Sequence, residues 1–70
     1  MRFIGNYKGF KLSANYGGWT VVGQLEKGGC MIIGEIHDTD AANLLVSVLN
    51  EKVRVFREEQ AFAARLKTVA

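Results

Sequence analysis

Chemistry in a chain of 70 residues must come from very few side chains, and here the candidates are Cys30, His37, Asp38, Asp40 and Ser47. A nucleophilic couple needs its Cys and His within hydrogen-bond reach of each other. Cys30 and His37 lie seven residues apart on one predicted strand, and an odd separation turns them to opposite faces. Cys30 therefore reads as a small core residue. Asp38 and Asp40 would have to converge on a cleft to work as an acid and base, yet they stand just before an alanine-rich run with the pattern of a helix start. There Asp38 or Thr39 caps the free N–H groups of the first turn, and both acids suit the positive end of the helix dipole. The same positive end repels a cation, so the run His37-Asp38-Thr39-Asp40 makes a poor metal site. One Cys and one His cannot close a zinc shell. Gly17-Gly18 and Gly28-Gly29 fall between antiparallel strands, and no Lys-Ser or Lys-Thr follows them, which argues against a phosphate loop. The expectation is a protein with no catalytic residues, no metal and no cofactor.

The elements that would position these residues divide the chain in two. All eight glycines lie between Gly5 and Gly34, and neither Gly nor Pro occurs from Asp38 to Ala70. Residues 1–37 read as a β-meander and residues 38–70 as helix, together one domain. From Lys8 to Ala14, Phe10, Leu12 and Ala14 alternate with Lys11 and Ser13, the period of a half-buried strand. A turn at Asn15 to Gly18 leads to a second strand, Trp19 to Glu26, with Trp19, Val21 and Leu25 on one face. Gly23 in its middle relieves crowding, permits a bulge or leaves room for a neighbouring backbone, and Gly34 is expected to repeat that function. Lys27, Gly28 and Gly29 close a hairpin. The third strand, Cys30 to Ile36, is contiguous in Met31, Ile32 and Ile33, which predicts cover on both faces or a central place in the sheet. Met1 to Ile4 would add a short fourth strand. The fold class is α+β: an antiparallel β-meander of three to four strands followed by one long C-terminal helix.

That helix, from Thr39 to about Val69, carries Ala42, Leu45, Leu49, Val53, Phe56, Ala63 and Leu66 at spacings of three and four. Asp38 and Asp40 at its start and Arg65 and Lys67 at its end complement the dipole. At 1.5 Å per residue it would be roughly 45 Å long, against roughly 20 Å for a strand of six or seven residues. Half of it must overhang the sheet. Either a break near Asn50 to Lys52 folds a second helix back, or the helix stays straight and packs on its counterpart in a homodimer. With no Gly or Pro to make the break, the straight helix is preferred, the more so because Glu51 with Arg54 and Arg54 with Glu58 tie its turns together. Val53, Phe56, Phe62, Ala63 and Leu66 are the expected dimer seam. A small chain gains from such a partner because it buries a small fraction of its surface, and a lone Cys offers no internal disulfide.

Apolar runs reach only four residues, too short for a membrane span or the core of a secretory leader. With a free thiol, this points to the cytoplasm. A net charge of +2 demands no anionic partner. Aromatic platforms on a small sheet, with lysines beside them, would suit a small RNA- or DNA-binding module, but the arginines of the helix are interleaved with glutamates as on a solvated face. Docking on another protein is the less demanding use of Tyr7, Tyr16 and Trp19, with Arg54 and Arg57 adding charge selectivity. In the segments Tyr7-Lys8-Gly9-Phe10, Gly18-Trp19-Thr20-Val21 and Asp38-Thr39-Asp40-Ala41-Ala42, and in its size and order of elements, the chain resembles small phage or mobile-element proteins, anti-CRISPR and other anti-defence inhibitors among them. That resemblance implies a stoichiometric inhibitor that docks on a host protein complex in the host cytoplasm. It implies no site residues.

Overall fold

The computed structural model describes the backbone of residues 2–69 and the side-chain surroundings of residues 3–66. Met1 and the side chain of Lys67 therefore lie outside the described residues. In chain order the elements are α1 (Arg2–Gly5), β1 (Tyr7–Asn15), β2 (Gly18–Leu25), β3 (Cys30–Ile36) and α2 (Thr39–Val69). The strands form an antiparallel sheet in the order β1-β2-β3, a meander, with α2 laid across one face.

Register decides which side chains meet the helix. Leu12 pairs with Val21 and Phe10 with Gly23, and a bulge between Tyr7 and Gly9 absorbs Lys8. Without that extra residue Tyr7 and Phe10, three apart, would point to opposite faces; with it both rings turn inward. A second irregularity, between Val21 and Val22 on the β3 side, lets Ile33 reach the same core. The core gathers Ile4, Tyr7, Phe10 and Val53, with Leu25, Val46, Leu49 and Phe56 packed around them. Val21 is completely buried, a burial worth roughly 1.5–3 kcal/mol.

Three expectations need correction. Residues 2–5 form a helical turn rather than a fourth strand, closed by the Asn6 N–H donating to the Phe3 carbonyl at 3.3 Å. A strand would send the adjacent Phe3 and Ile4 to opposite faces; the turn lets Ile4 bury in the core while Phe3 stacks near Tyr7 and Phe10, centroids 5.0 and 6.2 Å away. β3 is an edge strand, neither central nor covered on both faces, and Ile32 is 70% exposed. Hairpin links keep the strands in sequence order, and the single long helix can roof only one face. Gly34 does not repeat Gly23: a Cβ at Gly34 would meet nothing within 4 Å, whereas one at Gly23 would strike the Tyr7 ring at 2.4 Å.

Helix α2 is continuous over its 31 residues. Asp38 is its N-cap, its side chain accepting from the Ala41 N–H at 2.8 Å and its carbonyl from the Ala42 N–H at 3.0 Å. Asn50 does not break it. Its amide instead grips the free edge of β1, accepting from the Phe10 N–H at 2.8 Å and donating to the Phe10 carbonyl at 3.1 Å, which satisfies backbone groups that an edge strand leaves open. The helix overhangs as its length requires: every described side chain from Arg57 to Leu66 is exposed, and the molecule measures 53 Å along its long axis against 23 and 14 Å across it.

Candidate functional site: the β1–β2 tip

The β1–β2 ladder runs to Asn15 opposite Gly18, leaving Tyr16 and Gly17 to turn the chain. Gly17 has φ +92°, a left-handed conformation that glycine adopts without strain. Gly18 is required for a different reason. A Cβ there would lie 2.6 Å from the Ile36 carbonyl oxygen and 2.8 Å from the His37 Cα, so the end of β3 can come this close only to a glycine.

Three side-chain contacts brace this end of the sheet. His37 Nδ1 lies 2.7 Å from the Gly17 carbonyl; because a carbonyl can only accept, the ring donates, and its Nδ1 carries the hydrogen. Asn15 Nδ2 donates to Thr20 Oγ1 at 2.7 Å across the base of the turn. Trp19 Nε1 donates to Thr39 Oγ1 at 3.1 Å, tying β2 to the first turn of α2 just after the Asp38 cap. The result is a fixed hairpin from which one aromatic ring projects: Tyr16 is 106% exposed, more open than in an extended peptide.

The structure sorts the residues expected to bind a partner. Tyr7 is buried, its hydroxyl 3.5 Å from the Met31 sulfur, and so belongs to the core rather than to a surface. Trp19 is half-buried on the helix side of the sheet and serves as the pin to Thr39. Arg54 is held within its own helix, with Nε donating to Glu51 at 3.1 Å and a guanidinium nitrogen to Glu58. The Glu51 carboxyl is lowered below its ordinary value by that hydrogen bond from Arg54. Arg57 pairs with Glu26 at the β2–β3 hairpin, bracing the helix where it leaves the sheet. Of the five, Tyr16 alone projects fully into solvent.

Candidate chemistry is dispersed. Cys30 is exposed at the start of β3 rather than in the core, because the register pairs it with Gln24 on the sheet face away from α2. His37 lies just past the other end of that strand, and Ser47 is exposed on α2. Among the described residues no three His, Cys, Asp or Glu side chains come together as metal ligands. The sheet face away from α2 carries Lys11, Ser13, Thr20, Val22, Gln24 and Ile32, and no aromatic ring; Phe10 and Trp19, which would be stacking platforms, lie on the roofed side. No helix of the described residues is long and apolar enough to cross a membrane.

Local sequence did not reveal the braces. His37 to Gly17 and Trp19 to Thr39 each join residues 20 apart, and only the register of the meander brings them together. Comparison with protein-family models, with curated proteins and with solved structures finds no match to this chain.

Proposed function

We propose that this protein is a non-enzymatic binding module that acts by occupying the surface of another protein, with Tyr16 as its anchor. The observation that carries this reading is the full exposure of an aromatic ring on a turn braced from three sides. Large aromatic side chains are the residues that most often dominate interface energetics, and a turn that is already ordered loses little entropy on docking. A solvated polar side chain would serve a purely structural turn better, since exposing a tyrosine ring has a hydrophobic cost. Docking of this kind suits the inhibitor role that resemblance to small mobile-element proteins implies. The dispersed positions of Cys30, His37 and Ser47 support action by occupancy rather than by reaction, and the ring-free open face of the sheet gives nucleic-acid stacking little support.

Capture of partners from the source cell on immobilised protein tests the reading. Tyr16→Ala should lose the captured partner, with affinity down about thirtyfold or more as for an interface anchor, while its melting temperature stays at the wild-type value. Capture that persists undiminished in Tyr16→Ala would remove the tip as the docking site.

A further inference from the structure

Helix α2 carries a second apolar line that the subunit does not use. Its core line runs through Ala42, Leu49, Val53 and Phe56. At 3.6 residues per turn, Leu44, Val48, Val55, Phe62 and Leu66 fall within about 40° of one another and roughly 130° around the helix from that core line. Leu44, Val48, Phe62 and Leu66 are all exposed, and Val55 is half-buried. Val53 and Phe56, expected in a seam between subunits, are spent inside the subunit, Phe56 against α1, where its ring would lie 3.0 Å from a Cβ at Gly5. Phe62 and Leu66 remain available.

The spacings along this line are four, seven, seven and four, which read the same in both directions about Val55. We infer that α2 is the seam of an antiparallel homodimer with its two-fold axis at Val55, so that Leu44 meets Leu66, Val48 meets Phe62 and Val55 meets Val55 of the second copy. An isologous interface needs a surface that is complementary to itself under a two-fold rotation, and a palindromic line on a straight helix is such a surface. The overhang of each copy then covers the exposed first turns of the other.

Charge fixes the same pairing. In an antiparallel helix pair, residues flanking the seam on one side face residues on that same side of the partner. Lys52 and Glu59 flank Val55 on one side, three residues before it and four after it. Rotation about Val55 sets each Lys52 beside the Glu59 of the other copy, giving two ion pairs of a kind that selects helix orientation. Neither residue forms a salt bridge within the subunit among the described residues. On the other flank Glu51 and Glu58 would face each other, and both are already paired with Arg54. The dimer sets the two Tyr16 tips at opposite ends, about 48 Å apart along the seam at 1.5 Å per residue from each Thr39 to the axis, and so makes the module bivalent. The pairing itself stands without the Tyr16 reading.

Sedimentation equilibrium of the intact chain tests the association. Wild type should be dimeric at micromolar concentration. Lys52→Glu should weaken the dimer roughly five- to tenfold by turning two attractions into repulsions, and the exchange Lys52→Glu with Glu59→Lys should restore it. Orientation is read separately in a Cys30→Ser background by mixing Leu44→Cys and Leu66→Cys chains with a short bis-maleimide: a 44-to-66 product is expected, and 44-to-44 or 66-to-66 products are not. These positions are exposed in the subunit, so unchanged circular dichroism will separate loss of dimer from loss of fold. A wild type that stays monomeric to about 100 μM, a charge exchange that fails to restore association, or homotypic cross-links would each overturn the proposal.

Discussion

Gly23 shows how narrowly a single residue can be constrained here. A Cβ at that position would lie 2.4 and 2.6 Å from two atoms of the Tyr7 ring and 3.1 Å from the Phe10 ring. Neither ring has room to retreat, since Tyr7 is buried between Phe3 and Phe10 with centroids 5.0 and 4.9 Å away. Gly23→Ala should therefore destabilise the protein by about 1–3 kcal/mol, read as a lower denaturant midpoint at unchanged slope. Gly34→Ala is the matched control, because its Cβ meets open space and its φ is not in the left-handed region; it should be neutral or stabilising by up to about 1 kcal/mol. In the sequence the two glycines look alike, each inside an apolar strand. What separates them is the bulge at Lys8, which swings Tyr7 over Gly23 and leaves no local trace. Asn50 has a role of the same non-local kind: an asparagine in a helix resembles a stop, and only the approach of β1 shows that its amide serves another strand's backbone.

At the scale of elements, the sequence was most informative where one segment settles its own conformation. The Gly-free run after Asp38, the cap and the Ala42, Leu49, Val53 spacing all belong to α2 itself, and the helix appears with those bounds. β3 was misplaced because the order of strands and the number of covering layers are properties of the whole sheet, and an edge strand beside a single helix can still be rich in isoleucine. The ties within α2 carry a pH signature. Arg54, hydrogen-bonded to Glu51 and paired with Glu58, holds the Glu51 carboxyl below its ordinary value of 4.5. A carboxyl lowered in the folded state adds stability that is complete above its unfolded value and is lost as pH falls through the lower folded one. Helix stability should thus decline from about pH 5 downward, and Arg54→Gln should flatten that part of the slope, as measured by thermal unfolding at a series of pH values. Both carboxylates are exposed, so the effect should shrink in high salt.

Over the whole molecule, the mismatch between a 31-residue helix and strands of seven to nine residues is the dominant fact. The sheet and α1 hold α2 as far as Phe56, with Arg57 tied to Glu26 at the margin; beyond that the helix runs with Phe62 61% exposed. A helix is stabilised mainly by packing of its apolar face, and a free segment of about ten residues is marginal in water. Cover from the proposed second copy would stabilise it. Association also links stability to concentration, because whatever binds only the folded form raises the melting temperature by mass action. The melting temperature of the intact chain should accordingly rise with protein concentration. A chain ending at Gln60 lacks Phe62 and Leu66 but keeps every residue of the core cluster. It should fold, match the intact protein's melting temperature at high dilution, and show no dependence on concentration. Calorimetry of both forms across a hundredfold range of concentration checks this. If the shortened chain failed to fold even when dilute, the overhang would have to stabilise its own subunit; if both forms melted at one temperature at every concentration, the overhang would contribute nothing to association.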